Sequence, residues 1–413
     1  MDEIASAMRL LYIHQYFRTP DQGGAVRSFH LAKGLIQAGI EVDMITAHDS
    51  PGYDQRWIDG IRVHYLPVRY DQKFGFFRRI WAFMSFVFHA RNLIKKLSRP
   101  DVLYITSTPL TTGLIGLWAK RKLALPFIFE VRDLWPEAPV QVGAIRNPLL
   151  KKLLYALEKK LYDHALSIVA LSPGIAAYIQ KKSPGRSVAL IPNFSDSDTF
   201  FPKERNLGLQ RQLGISPGLT IAYTGALGLV NAVEELLDLA ELAQLRRKNW
   251  NFLIMGEGSH KQKLVSLSRS KMLGNVRFIP FGSKAEVNDI LSLADFAWIS
   301  FAHFPVLKTN SPNKFFDALA AGTAILINHK GWVFDLVKTH QLGISCLPGK
   351  MESAFEKLEQ LEQNPEKINR MGENARQLAQ HLFSKDQAIN RLVEVIRPES
   401  RSTPGGEVGI RIA

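Results

Sequence analysis

Residues 309–322 read TNSPNKFFDALAAG, a polar, conformationally restricted loop that runs into an apolar helix carrying a single acid, Asp317. Ser311 is a good N-cap type, and Pro312 suits the first helical position, where no backbone donor is needed. The free N–H groups of such a helix start face whatever lies before them, and Lys308 and Lys314 flank the same spot. Oriented amides plus two cations make a seat for a diphosphate. Asn313 and Asp317 stand four apart on one helix face, so a ligand over the helix start would also meet a carboxylate. This combination points to a nucleotide-sugar site. Its structural alternative is a capped, partly buried helix with a surface lysine pair.

Other constellations lie at ends of apolar runs. Gly23 and Gly24 follow the first run, and their lack of side chains lets backbone approach a ligand at a helix start. The spacing is not GxGxxG, so the dinucleotide fingerprint is absent. Gly225 and Gly228 hold the equivalent place in the second half, and two facing glycine loops supply donors to a charged ligand from both sides. Met255-Gly256-Glu257-Gly258 ends another run and would leave room for a base or ribose. In 129–137, FEVRDLWPE, a run ends in Glu130, Arg132, Asp133 and Glu137; the alternative is an Arg132–Asp133 or Arg132–Glu130 structural pair. Asp196 and Asp198 have a spacing that holds Mg²⁺, but they fall in a polar linker, and no metal is assigned. No HExxH, CxxC, GxSxG or Walker lysine pattern occurs.

The elements that position these residues alternate β and α twice over. Apolar runs at 10–14, 41–46, 61–67, 102–106, 126–131, 167–171 and 188–191 predict strands, with helices over 25–39, 76–96, 111–122 and 148–164. The polar, turn-rich stretch 193–206 divides the chain. Beyond it, strands at 220–223, 251–255, 276–280, 295–299 and 324–328 alternate with helices over 233–245, 260–271, 284–294 and 313–321, and helices over 351–363, 366–382 and 385–396 follow. The expectation is two tandem doubly wound domains whose parallel sheets face each other across a crevice. The tail 398–413 is polar and predicted disordered.

The 413 residues suffice for two domains of about 200. Lysine and arginine number 52 against 38 acids, a net charge of +14. That balance favours an acidic partner: phosphorylated substrates, an anionic membrane surface or nucleic acid. The basic residues spread over both halves without a recognition-helix or RNP-type motif, which disfavours nucleic acid. One cysteine, Cys346, excludes an intrachain disulfide. No run reaches the roughly 18 apolar residues of a spanning helix, and Asp2 and Glu3 stand where a signal peptide is basic. Met8 is a natural start, which makes 1–7 an upstream extension. Residues 69–96 interleave aromatics with Arg78, Arg79, Lys95 and Lys96, a composition suited to an anionic bilayer interface, or else to a core helix with a basic outer face. A second basic amphipathic helix, with Lys151, Lys152, Lys159 and Lys160, would add to such a face. The expected location is cytoplasmic, peripheral on the inner membrane face.

With these motifs in place, the chain resembles a retaining glycosyltransferase of family four with the GT-B fold. More narrowly, it is similar to the WbuB-like transferases of O-antigen, capsule and colanic-acid synthesis. The resemblance spans about 8–396 and rests on HQYFRTPDQGGAVRSFHLAKGLIQAGIEVDMIT, VRDLWPE, IPNFSDSDTFFP, YTGALGLVNAVEELLDLA, MGEGSHKQKL, FIPFGSKAEV and SPNKFFDALAAG in this order. It implies an acceptor domain at 8–194, a donor domain at 206–384 and a helix at 385–397 crossing back to the first domain. Gly23 and Gly24 would lie under the donor diphosphate and acceptor, and Gly225 and Gly228 would flank the diphosphate. Gly256, Glu257, Phe281 and Gly282 would lie near the base, and Asp317 at the ribose. The chain departs from the family pattern at Thr309, which replaces the first acid of the paired-acid motif. It departs also at Asp317 for glutamate, at Ala226 and Asn231 for the basic pair, and at Arg132 for a histidine. The diphosphate charge is thus left to Lys308, Lys314 or Arg132, with Lys314 favoured by its place at the helix start. The implied chemistry is metal-independent and needs no cofactor beyond the donor, a UDP or GDP sugar, with a lipid-linked sugar as acceptor. A nucleotide-sugar epimerase using Glu130, Asp133 and Glu137, and a non-catalytic basic binding protein, are the competing readings.

Overall fold

The structure is a computed structural model that describes residues 7–71 and 74–397. Residues 1–6 and 398–413 lie outside the described residues, and with them the expected disordered tail and all but Ala7 of the expected upstream extension 1–7. Among those described, an eight-stranded sheet is built from β1 (Arg9–Ile13), β2 (Glu41–His48), β3 (Asp54–Ile58), β4 (Ile61–Pro67), β5 (Val102–Thr106), β6 (Phe127–Val131), β7 (Ser167–Ala170) and β8 (Val188–Leu190). Its order is β3-β4-β2-β1-β5-β6-β7-β8. A six-stranded sheet comprises β9 (Thr220–Thr224), β10 (Asn251–Met255), β11 (Val276–Ile279), β12 (Phe296–Ile299), β13 (Ala324–Ile327) and β14 (Gly343–Ser345). Its order is β11-β10-β9-β12-β13-β14, parallel throughout. Helices cover both faces, so the central strands β5, β6, β9 and β10 are buried along their whole length and read as apolar runs rather than alternations.

Strand order reverses between β1 and β5 in one sheet and between β9 and β12 in the other. A crevice opens at the carboxyl ends of strands at such a reversal. The loops holding Gly23–Gly24, Gly225–Gly228 and the segment 300–312 all start there, after β1, β9 and β12.

One edge departs from the expected parallel sheet. β3 pairs antiparallel with β4 through a tight turn at Asp59 (φ 49°) and Gly60 (φ 83°). Its polar, half-solvated sequence DQRWI hid it from an apolar-run search, although the Asp-Gly pair is a hairpin signal. Helices at Pro173–Lys182 and Trp332–Thr339 were also missed. The first carries its own signal, because Ser172 accepts from Ile175 N–H (3.1 Å) and Pro173 fills N1.

The domains are stitched near the crevice. Asn193 donates to Ser311 twice, from its backbone N–H to Oγ (3.1 Å) and from Nδ2 to the carbonyl (2.5 Å). Ser195 Oγ donates to the Phe316 carbonyl at 2.8 Å. The helix Lys385–Ile396 packs on Arg27–Gln37 so closely that a Cβ on Gly34 would lie 2.5 Å from Ile389 Cδ1. Its Ala388, Leu392 and Ile396 join the core of the first sheet.

Candidate functional site

The helix after β12 runs Asn313–Ala321, with Pro312 as N-cap and no side-chain cap bond. This corrects the expected Ser311 cap. Ser311 Oγ is turned to Asn193 instead, because the interdomain bond claims the oxygen that a cap would use. The first-turn amides are thus left without a capping side chain.

Lys314, in that first turn, is the central finding. Its ammonium donates to Tyr223 OH (3.2 Å), Asn231 Oδ1 (3.2 Å) and the Ser300 carbonyl (3.3 Å). It also lies 4.4 Å from the Tyr223 ring centroid and 5.2 Å from that of Phe301. No carboxylate lies within 4 Å of it among the described residues. Burial of the charge pulls its pKa down to about 7. Gly225 adjoins it: a Cβ there would be 3.4 Å from Tyr223 OH and 3.7 Å from Lys314 Cε. A cation held only by neutral acceptors, beside a glycine loop and free helix amides, is poised for an anion. Asn231 helps hold this cation in place.

Lys308 goes elsewhere. It is exposed and lines a separate cavity with His329, whose ring meets Phe301 at 5.1 Å. The two lysines therefore do not share one spot, since the short helix Pro305–Thr309 turns Lys308 outward. Thr309 donates from Oγ1 to the Val306 carbonyl (2.7 Å) and packs against Gly174 of the first domain.

Asp317 and Asn313 line the interdomain cleft with His30, Asn193, Asp196 and Lys284. Asp317 is buried and bound by Lys284 at 2.7 Å. Burial still raises its carboxyl above the ordinary value, opposed by Lys284. Across the cleft, a Cβ on Gly23 (φ 65°) would lie 3.1 Å from Phe281 Cζ and 3.3 Å from the Gly282 carbonyl. Residues expected to bracket a ligand therefore touch each other, and this part of the cleft encloses only about 30 Å³. Gly24 (φ 83°) lies next to Arg18.

Gly256 serves packing. Its Cβ would lie 1.9 Å from the Gly225 carbonyl, so it lets the β10 loop close against the Gly225 loop rather than leaving open room for a base. Glu257 is exposed, pairs with Lys261, and its carbonyl accepts from Leu227 N–H (2.8 Å). Gly228 lies beside Asn231.

On the first-domain side, Arg132 does not pair with Glu130. Arg27 does, at 2.9 Å, and also donates to the Ile191 and Pro192 carbonyls. Tyr104 OH donates to the same Glu130 oxygen at 3.0 Å, and the other carboxylate oxygen is buried without a hydrogen-bond partner among the described residues. Glu130 lies within β6 and is fully buried, whereas Arg132 follows the end of the strand and its Nη1 lies 3.3 Å from His14 Nε2. Burial, aided by the Arg132 charge, holds the His14 pKa well below the usual value. Asp133 is half-buried and makes no hydrogen bond or ion pair among the described residues; burial raises its carboxyl against the pull of Arg132. Sequence reasoning missed His14, which sits at the end of β1 where any polar side chain is a site candidate. Asp196 and Asp198 share the Lys385 ammonium (2.8 and 2.5 Å), which supplies the positive charge that a metal would otherwise bring.

Comparison with known proteins accords with this layout. Residues 22–193 match the family described as Glycosyl transferase 4-like domain, and 209–378 match Glycosyl transferases group 1. The chain belongs to the GT-B glycosyltransferases. A glycosyltransferase of Haemophilus influenzae, uncharacterized, is 24% identical over 377 residues, 90% of this chain and 94% of that protein. A lipopolysaccharide 1,2-N-acetylglucosaminetransferase of Salmonella typhimurium is 24% identical over 210 residues, 46% of this chain and 52% of that one. Among solved structures, sucrose-phosphate synthase of Thermosynechococcus elongatus superposes with a TM-score of 0.77 at 16% identity, covering 95% of this chain and 99% of that one. Anabaena HepE in complex with UDP-glucose gives 0.70 at 15% identity, covering 94% and 99%. The WbuB-like subgroup is narrower than these matches reach. In this GT-B glycosyltransferase Lys314 lies on the second-domain side of the crevice, and Arg132, Asp133 and His14 lie on the first-domain side.

Proposed function

We propose that this glycosyltransferase is a retaining, metal-independent enzyme that moves a sugar from a nucleoside-diphosphate donor to a lipid-linked glycan acceptor in bacterial surface polysaccharide synthesis. The observation that carries the donor half is Lys314: a half-buried cation without a carboxylate partner among the described residues, beside the Gly225 loop and an uncapped helix start. The UDP-glucose complex of HepE favours UDP as the donor nucleotide. The Salmonella relative's name favours a lipopolysaccharide-type product.

The chemistry is a front-face displacement. The acceptor oxygen bonds to the anomeric carbon as the bond to the diphosphate oxygen breaks, and the hydroxyl proton passes to the departing phosphate. Lys314 and the first-turn amides stabilise the charge growing on the diphosphate, a transition-state effect. Asp317 takes a ribose hydroxyl on the oxygen that Lys284 does not hold. Arg132, with neutral His14, contacts the donor phosphate or sugar, and Asp133 orients the acceptor hydroxyl. Asp317→Asn is expected to raise donor KM at least about tenfold, near 1.4 kcal/mol, in steady-state kinetics. An unchanged KM would remove Asp317 from the ribose role.

An epimerase would need several free carboxylates. Glu130 is spent on Arg27, and Glu137 accepts from Gln141 (2.7 Å) and Tyr155 OH (2.6 Å). Only Asp133 of that trio stays unengaged, which favours transfer over epimerisation.

The acceptor half rests on the helix Phe76–Ile94. Trp81 (76% exposed), Met84 and Phe88 form an outward stripe at helical spacing. Leu149 and Leu153 are exposed apolar residues of a second, basic helix, Pro148–His164. Among the described residues no helix is long and apolar enough to cross a membrane. The stripe suits a helix lying in the interface of an anionic leaflet. Replacing Arg78, Arg79, Lys95 and Lys96 with glutamine should weaken sedimentation with anionic vesicles at least about tenfold, given about 1 kcal/mol per basic residue near the surface. Unchanged sedimentation would refute the membrane assignment.

A further inference from the structure

A cavity of about 360 Å³ opens beside the donor seat, at the carboxyl ends of β12, β13 and β14. Lys308, Lys330 and Lys350 line it with His303, His329 and Leu347. All three lysines are exposed, and none makes an ion pair among the described residues. Their convergence is built into the backbone. Gly331 (φ 137°) presses so closely on the Lys308 carbonyl that a Cβ there would lie 2.4 Å from it, fixing Lys308 and Lys330 on one rim. The helix Trp332–Thr339 begins just after Lys330, and Met351–Glu362 just after Lys350, neither with a side-chain cap. Their positive ends add to the lysine field. Glu235 approaches from behind but is engaged by His303 (2.6 Å) and Asn328 (3.0 Å). The segment beside this cavity also joins the first domain at the helix Pro148–His164. Val306 N–H donates to Gln141 (2.9 Å), Gln141 to Glu137, and Tyr155 of the Pro148–His164 helix to the same carboxylate.

We propose that this cavity binds an oxyanion of the acceptor, a phosphate or diphosphate carried next to its sugar, separately from the donor diphosphate at Lys314. The assignment of that oxyanion to an acceptor rests on the transferase reading above. The same chemistry could come from a carboxylate on the donor sugar, and the test separates the two sources. Inorganic pyrophosphate is titrated calorimetrically into the full chain and into the double variant Lys330→Ala/Lys350→Ala, with and without saturating UDP. The expected result is pyrophosphate binding that survives UDP and weakens at least tenfold in the variant, while UDP binds both proteins equally. Pyrophosphate binding that UDP abolishes, or that the variant leaves unchanged, overturns the proposal. Should UDP bind neither protein, the donor reading fails by itself, and pyrophosphate affinity in the two proteins still decides whether the cavity holds an oxyanion. In a second arm UDP-glucuronate and UDP-glucose are compared. Equal effects of the variant on both are expected, and a selective loss of UDP-glucuronate binding would move the anion to the donor sugar and overturn the acceptor assignment.

Discussion

Lys314→Met is expected to lower kcat/KM for the nucleotide-sugar donor on the order of a hundredfold, about 2.7 kcal/mol of lost transition-state stabilisation. The ammonium has only neutral partners in the free protein, so no carboxylate competes with a diphosphate for it. The same environment sets a pH signature. With the pKa pulled down to about 7 by burial, the amine is charged below that pH, and a bound diphosphate raises its pKa. Affinity for the nucleoside diphosphate should therefore fall as pH rises above about 7, and Lys314→Met should lose this segment of the profile. Folding responds in the opposite sense to a salt bridge. The unfolded chain binds this proton more tightly, near the usual Lys value of about 10.4, so the buried charge costs stability below about pH 7 and the cost fades between the two values. The variant should accordingly keep or raise its Tm, with the gain largest below pH 7. A variant that loses activity together with its Tm would mean that Lys314 is structural.

Glu130→Ala should produce the largest loss of stability, about 3–5 kcal/mol in urea unfolding, because it strands the Arg27 guanidinium in the core. Both side chains are almost wholly inaccessible, at 2% and 0% exposure. Arg27 would keep its two carbonyl acceptors and lose its counter-charge. The pair as a unit is worth much less than either half: Arg27→Met/Glu130→Leu should recover most of the stability. A Glu130→Ala protein of native stability but without activity would instead place Glu130 in the reaction.

The two cases show what a sequence exposes and what it hides. Alternating apolar runs revealed the doubly wound architecture because buried parallel strands are apolar on both faces. The helix Pro148–His164 was legible to its ends because Asn147 and Pro148 punctuate it locally. Strand β3 was hidden because an edge strand has no buried face to mark it. Ser311 was misjudged because its partner, Asn193, lies across the domain interface and no local rule sees it. Glu130 was grouped with Asp133 and Glu137 by proximity in sequence, whereas it lies inside β6 against Arg27 and Tyr104 and the other two follow the end of the strand. Lys314 was favoured for its place at the helix start. Its enclosure by Tyr223, Asn231 and Phe301 depends on β9 and β12 lying side by side, which only the folded chain shows.

The account turns on donor diphosphate recognition by Lys314, and the most direct measurement is calorimetric titration of UDP and GDP into the wild-type chain and Lys314→Met, with EDTA present. One nucleotide binding the wild type without metal, and binding the variant at least tenfold more weakly, is the predicted result. Equal binding to both proteins, or binding by a well-folded wild type that appears only when a divalent metal is restored, would contradict it.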